Sequence, residues 1–289
     1  MVSKSLELIP DWIAPSSWWQ HVPIAHWLTC ELKPEIVVEL GTHYGVSFFG
    51  FCEAAEAFSR KSFIYAVDTW EGDAHAGEYN ENVFQQVQEE ASRRHKLRSR
   101  LIRSSFDEAA KYFEDEAIDL LHIDGLHTYE AVRHDYETWL PKMKEDSIIL
   151  FHDINVRERE FGVWKLWHEL KEDSLTYETA NGHGLGILVK GQKLEMKISA
   201  LAETLPLLKS KGALLEMLAE SRSEGRFDTQ QVQKEQDQLS MENESLKIRL
   251  LQAEKQIKEI ENSTIWKLSN PLRKAYDATK RIIKNKNHP

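Results

Sequence analysis

Two short apolar runs in this chain end on groups that can move protons. Ile118-Asp119-Leu120-Leu121-His122-Ile123 leads into Asp124-Gly125-Leu126-His127-Thr128-Tyr129, and Ser147-Ile148-Ile149-Leu150-Phe151 leads into His152-Asp153-Ile154-Asn155. If both runs are neighbouring strands of an open sheet, Asp124, His127, His152 and Asp153 share one small volume at its carboxyl edge, where such sheets bind ligands. So many titratable groups at strand ends are costly unless they bind something. The structural alternative for each is a helix cap or a hydrogen bond to a loop.

A second constellation lies upstream. Ile36-Val37-Val38-Glu39-Leu40 ends on a carboxylate and turns through Gly41-Thr42-His43-Tyr44-Gly45 into Val46-Ser47. The run Phe63-Ile64-Tyr65-Ala66-Val67 follows and also ends on an acid, Asp68, with Thr69 next. A strand, a glycine turn, a helix and an acid-tipped strand form a nucleoside cradle, with Asp68 placed to take both ribose hydroxyls. Dinucleotide folds space their glycines G-x-G-x-x-G around a pyrophosphate. Here three residues separate Gly41 from Gly45, and Glu39 would repel a pyrophosphate. A cationic ligand suits that carboxylate, and S-adenosylmethionine fits better than NAD.

These turns need a scaffold. Strand-like runs at 36–40, 63–68, 100–103, 118–123, 147–151 and 185–190 alternate with helical stretches. That order predicts an α/β fold with a doubly wound, mostly parallel sheet. The 289 residues allow one such domain and an appendage. We divide the chain into a domain at 1–191, a helical connector at 192–229, a coiled coil at 230–262 and a basic amphipathic tail at 263–289.

The net charge is −10, yet residues 263–289 carry seven Lys/Arg against Asp277 alone. The rest is therefore more acidic still, which argues against nucleic acid as a partner. Cys30 and Cys52 lack metal or redox spacing, which suits a reducing compartment. No signal peptide or long apolar run is evident, so a cytoplasmic protein is expected.

Val232, Leu239, Leu246, Ala253 and Ile260 recur every seventh residue, with Gln236, Asn243, Leu250 and Ile257 filling the seam. With Leu239 at d, Asn243 falls at a, where a buried amide favours a parallel dimer. Glu242 would face Lys247 across it, and Arg249 would face Glu254. One long helix packed on its own domain is the other reading. In the tail, Trp266, Leu268, Leu272, Tyr276, Ile282 and Ile283 interleave with the basic residues. That pattern suits either peripheral contact with an anionic membrane, at the inner face of the plasma membrane, or a solvated basic end.

Over about residues 12–191 the chain resembles class I S-adenosylmethionine-dependent methyltransferases, specifically a bacterial methyltransferase 24-like group associated with glycosyltransferases of surface-polysaccharide synthesis. The resemblance rests on Val38-Glu39-Leu40-Gly41-Thr42-His43-Tyr44-Gly45-Val46-Ser47, Ala66-Val67-Asp68-Thr69-Trp70, Leu121-His122-Ile123-Asp124-Gly125-Leu126-His127, Phe151-His152-Asp153, Phe161-Gly162-Val163-Trp164 and Gly182-His183-Gly184-Leu185-Gly186. It implies a seven-stranded Rossmann-like sheet whose final strand is antiparallel. It implies cofactor contacts from the turn holding Glu39, Gly41, Thr42, Gly45 and Ser47, from Asp68 and Thr69, and from Asp124. Ser104-Ser105-Phe106 would frame the adenine, although this chain departs there from the commoner Gly-Asp.

The acceptor implied is a sugar hydroxyl of a surface glycan or its precursor. A hydroxyl is a poor nucleophile, so a base must take its proton or a metal must lower its pKa. His127 is the candidate base, with Asp124 beside it. A related methyltransferase group holds a divalent ion on a carboxylate after the fourth strand and a pair after the fifth. By that likeness Asp124, His152 and Asp153 are the metal set, for Mg, Mn or Zn. The imidazole is a departure from the usual acidic or Asp-Asn pair and tolerates Mn or Zn better than Mg.

Several residues read two ways. Trp18, Trp19 and Trp27 either stack on a sugar or lock the N-terminal helix to the sheet, and Trp70 stacks on the nucleoside or packs. Arg157 and Arg159 either meet a phosphate or uronate or belong to a solvated loop with Glu158 and Glu160. His134 and His168 read as bland. The alternative function is a non-catalytic scaffold of the same fold, recruiting glycan-assembly enzymes through its coiled coil. An NAD-dependent sugar dehydrogenase is opposed by the glycine spacing.

Overall fold

Val37, Val38 and Leu40 are wholly buried, as are Ile64, Ala66 and Val67 on the next strand. Near-continuous apolar runs of this kind suit central parallel strands covered on both faces. The computed structural model describes residues 4–223, apart from 74, 76, 80 and 173; the heptad seam and the basic tail lie outside the described residues. The strands are β1 (Ile36–Leu40), β2 (Phe63–Asp68), a small hairpin of β3 (Gly72–Asp73) and β4 (Gly77–Glu78), β5 (Ser99–Arg103), β6 (Ile118–Ile123), β7 (Met143–His152), β8 (Leu175–Thr179) and β9 (Leu185–Lys190). The helices are α1 (Val22–Leu32), α2 (Val46–Phe58), α3 (Glu81–Arg94), α4 (Phe106–Ala110), α5 (Tyr129–Trp139), α6 (Val163–Leu170) and α7 (Gln192–Ser223).

The main sheet has seven strands in the order β5-β2-β1-β6-β7-β9-β8. The first five run parallel, and β9 is antiparallel to both β7 and β8. This is the doubly wound, Rossmann-like α/β sheet expected from the alternation of runs. The chain winds outward from β1 through β2 to β5, then returns to place β6 on the other side of β1. The strand order therefore reverses between β1 and β6, and the crevice at such a switch point is where these folds bind ligands.

Period-2 alternation sorts the side chains of β1 and β6. Val38, Leu40, Leu121 and Ile123 join Val132 and Trp139 of α5 and Leu166 and Trp167 of α6 in one core cluster. Glu39 and His122 point the other way, towards the face on which the N-terminal segment lies. There α1 packs against α2 and α7. Helix α7 is held by backbone as much as by side chains: a Cβ on Gly212 would lie 2.2 Å from the Gln20 carbonyl oxygen. Lys211 donates from Nζ to the carbonyls of Leu6 and Leu8. Among the described residues no helix is long and apolar enough to cross a membrane.

In the main sheet two strand readings change by more than one residue. β7 begins at Met143 rather than Ser147, because Lys144, Glu145 and Asp146 break the apolar run without breaking the extended backbone. β8 was not among the expected runs; it is an edge strand, Leu-Thr-Tyr-Glu-Thr, only partly covered until Thr179.

Candidate functional site

The switch point is closed by backbone. Asp124 donates its N–H to the Leu40 carbonyl at 2.8 Å, and Gly41 donates to Val67 at 2.9 Å, so the ends of β6, β1 and β2 are tied together. Gly41 has φ of +86°, and a Cβ there would lie 2.0 Å from the Asp124 carbonyl oxygen. Glycine is required on both counts. Gly45 then starts α2 at φ +78°.

Asp68 organises this turn. Its Oδ2 accepts from the backbone N–H of Thr42 at 2.8 Å and of His43 at 3.0 Å, and its Oδ1 accepts from Trp70 at 2.7 Å. A carboxylate has about four acceptor sites, so capacity is left for hydroxyls in the cavity that Asp68 lines. Trp70 is fully buried and donates from its indole to the His43 carbonyl at 3.0 Å, which is a packing role. Ser105 caps α4, accepting from Glu108 N–H at 3.4 Å, and Phe106 follows it in the cavity wall.

Across the cavity stand the imidazoles. His127 Nε2 lies 2.8 Å from Asp153 Oδ2 and 3.4 Å from Asp124 Oδ1. Nε2 therefore carries a proton, and Nδ1, buried and without a protein partner, is the nitrogen left over. Burial alone would lower the His127 pKa, but the carboxylates of Asp124 and Asp153 outweigh it and hold it up at about 9. Asp153 sits at φ +61°, an uncommon backbone for a non-glycine residue and one that clusters at functional sites. Its other oxygen, Oδ1, lies 2.9 Å from His183 Nδ1.

His152 is buried behind this pair, with Nδ1 3.2 Å from Asp124 Oδ1 and 3.3 Å from Asp153 Oδ2. Neither of its ring nitrogens makes a well-aligned hydrogen bond. Burial opposes its charge, yet the two carboxylates raise it to about 10. Donor atoms of Asp124, His152 and Asp153 all lie within 4.8 Å of one another. Carboxylate, carboxylate and an unsatisfied imidazole fit a divalent ion.

Not every expected residue reaches the cavity. Gly41, Thr42, Gly45, Ser47, Asp68, Thr69, Ser105, Phe106, Asp124, His127 and Asp153 line it; Glu39 and His152 do not. Glu39 is wholly buried, with Oε2 2.9 Å from His122 Nδ1. Trp18 donates its indole N–H to His122 Nε2 at 3.1 Å, so Nδ1 carries the ring proton and donates to Glu39. Burial raises the Glu39 pKa, against the opposing pull of His122. Glu39 thus braces the first turn from behind, and Trp18 locks the N-terminal segment onto the sheet. Trp19 and Trp27 are buried as well.

The cavity has a volume of about 520 Å³, within the usual range for small-molecule sites. Pro15–Trp18 close one side, and Trp12 holds that segment by donating to the Tyr44 carbonyl at 2.8 Å. Other lining residues went unassigned as site residues from sequence: His75, Phe161 and His183. The rings of His127 and Phe161 stack at 4.5 Å, as do those of His75 and Phe161. Gly162 donates to the His127 carbonyl at 2.7 Å, pinning Phe161 there. The sequence signal was Gly182-His183-Gly184, a lone histidine between two glycines of positive φ.

Residues 38–154 match a family described as a methyltransferase domain. An uncharacterized protein of Sinorhizobium fredii, y4gI, is 44% identical over 191 residues, which are 66% of this chain. The chain spans about a fifth of that relative's length, 21%. Among solved structures, a methyltransferase from Geobacter sulfurreducens is 17% identical, with TM-score 0.46, over 62% of this chain and 82% of that one. The O-methyltransferase TomG of Streptomyces achromogenes, solved with SAM, is 10% identical, with TM-score 0.45, over 63% and 83%.

Proposed function

From the match of residues 38–154 to a family described as a methyltransferase domain, we propose that this chain is a class I methyltransferase that binds S-adenosylmethionine at the Gly41 turn and methylates a hydroxyl group. One observation carries the reading: a single cavity has Asp68 and the Gly41 turn on one side and His127, backed by Asp153, on the other. When bound, the cofactor supplies a methyl group already activated on a sulfonium, so that S–CH3 breaks as O–CH3 forms. The chain's work is to hold the donor, align the acceptor and take its proton. Thr42 Oγ1, buried in the wall without a protein partner, and the spare capacity of Asp68 fit the donor's polar groups.

His127 would take the hydroxyl proton on Nδ1 while Nε2 stays on Asp153. With a pKa of about 9 the ring holds its extra proton at neutral pH in the ligand-free site. A cation placed beside the same carboxylates disfavours the imidazolium and brings the ring into its working range. A second reading has its own observation, the unsatisfied nitrogens of His152. Asp124, His152 and Asp153 would then hold a divalent ion that lowers the pKa of the acceptor hydroxyl.

The resemblance to polysaccharide-associated methyltransferases supports a sugar hydroxyl of a surface glycan or its precursor as acceptor. The heptads support a parallel dimer, and the basic tail supports peripheral contact with an anionic membrane near lipid-linked glycans. Calorimetry with S-adenosylhomocysteine tests the first half, and binding is expected. Labelled-methyl transfer onto glycans of the native cell, with and without chelator, tests the second. His127→Ala should cut turnover by about 10²–10⁴-fold with homocysteine-nucleoside affinity unchanged. Absence of binding heat at near-millimolar ligand would favour the scaffold instead.

A further inference from the structure

The pair Arg157 and Arg159 alternates with Glu158 and Glu160, a pattern that by itself suits a solvated loop. The fold separates them. Arg159 lines the cavity, whereas Arg157 packs its guanidinium over Trp164 at 4.3 Å, and neither glutamate is in the lining. Arg159 has φ of +49° and sits with its guanidinium carbon 5.4 Å from the centre of the Phe161 ring. Phe161 in turn stacks on His127. The arginine is therefore two ring contacts from the proposed base, on the acceptor side of the cavity.

The charges around the cavity leave that cation free of a carboxylate partner among the described residues. The lining holds four carboxylates, and each already has donors on the chain. Asp68 has three backbone N–H groups, and Asp73 has the N–H of His75. Asp124 has imidazoles, and Asp153 has His127 and His183. Arg159 faces only an aromatic ring among its contacts in the described residues. His75 stands in the same wall and can add a ring N–H donor, and His183, whose Nδ1 is engaged with Asp153, closes that wall.

We propose that Arg159, with His75 and His183, forms an acceptor subsite for an anionic oxygen group, a carboxylate or a phosphate ester carried by the molecule that is methylated. This rests on the methyl-transfer reading, because it makes the far side of the cavity the acceptor's place. Arg159 then selects the acceptor by forked hydrogen bonding and holds its hydroxyl towards His127.

The test uses the full chain, titrated calorimetrically with glucuronate, glucose 1-phosphate and glucose, each with and without saturating S-adenosylhomocysteine. One anion is expected to bind at least about tenfold tighter than glucose. Which one does so separates the carboxylate source from the phosphate source. Arg159→Gln should erase that advantage, Arg159→Lys should keep part of it, and Arg157→Gln should leave it intact. Anions no tighter than glucose, or an advantage that survives Arg159→Gln, would overturn the subsite. A failure of S-adenosylhomocysteine to bind would overturn the cofactor reading alone, since the sugar titrations are read without it as well.

Discussion

Single residues in this site are constrained by contacts that leave no slack, and Gly41 is the sharpest case. It needs a positive φ and has the Asp124 carbonyl where a side chain would go. Alanine must therefore push β6 away from β1 at the point where their ends are tied. The backbone cost of φ > 0 for alanine is about 1 kcal/mol, and displacement of Asp124 adds to it. Gly41→Ala is expected to lower the melting temperature by several degrees and to abolish S-adenosylhomocysteine binding in calorimetry. Unchanged affinity would mean that the cofactor does not lie against this turn. Asp124 and His127 would be displaced in the same variant, so its turnover should fall with its binding. His127→Ala should lose only turnover, and that contrast separates shape from chemistry.

At the level of elements, the strands that carry the site were legible because burial on both faces leaves an unambiguous apolar run, as in β1, β2 and β6. The edge strand β8 was not, because Leu175-Thr176-Tyr177-Glu178-Thr179 is only half covered and mixes polarities accordingly. The four groups at the ends of β6 and β7 could be placed together from strand order alone. What sequence could not give was which face of the sheet the site occupies, and so which residues near a strand's end reach it. Glu39 shares its strand with Leu40, but the pleat sends it to His122 rather than into the cavity. Helix α5, which follows His127, carries a further consequence. Asp135 on it is buried against the Gly125 turn, and burial raises its pKa to about 7 despite the opposing charge of His134. The folded state therefore binds this proton more tightly than the unfolded chain, so stability falls as pH rises between the unfolded and folded values and is level above. Urea unfolding at pH 5 and pH 8 should show wild type losing about 2–3 kcal/mol more across that interval than Asp135→Asn. The double difference isolates Asp135 from Glu53, which burial also raises to about 7.

For the whole molecule, the cavity's lining among the described residues runs from Pro15 to His183, and α7 is docked on the segment ahead of α1 by Lys211, which reaches the Leu6 and Leu8 carbonyls, and by Gly212 against Gln20. For residues 230–262 the sequence points to a separate task. Their heptads place Leu239, Leu246 and Asn243 on one seam, and a buried asparagine at a is best satisfied by its own copy across a two-stranded interface. Light scattering on the full chain should therefore give about twice 33.6 kDa. Replacing both Leu239 and Leu246 by proline costs about 3 kcal/mol per site in a helix interior and removes two seam residues, so the mass should fall to that of one chain. S-adenosylhomocysteine affinity is expected to be the same in both forms, because the cavity's lining among the described residues lies between Pro15 and His183. Asn243→Leu should stay associated but lose the two-chain state for higher oligomers, since the amide is what penalises them. A single-chain mass for the unaltered protein would end the dimer proposal and leave the methyl-transfer site untouched.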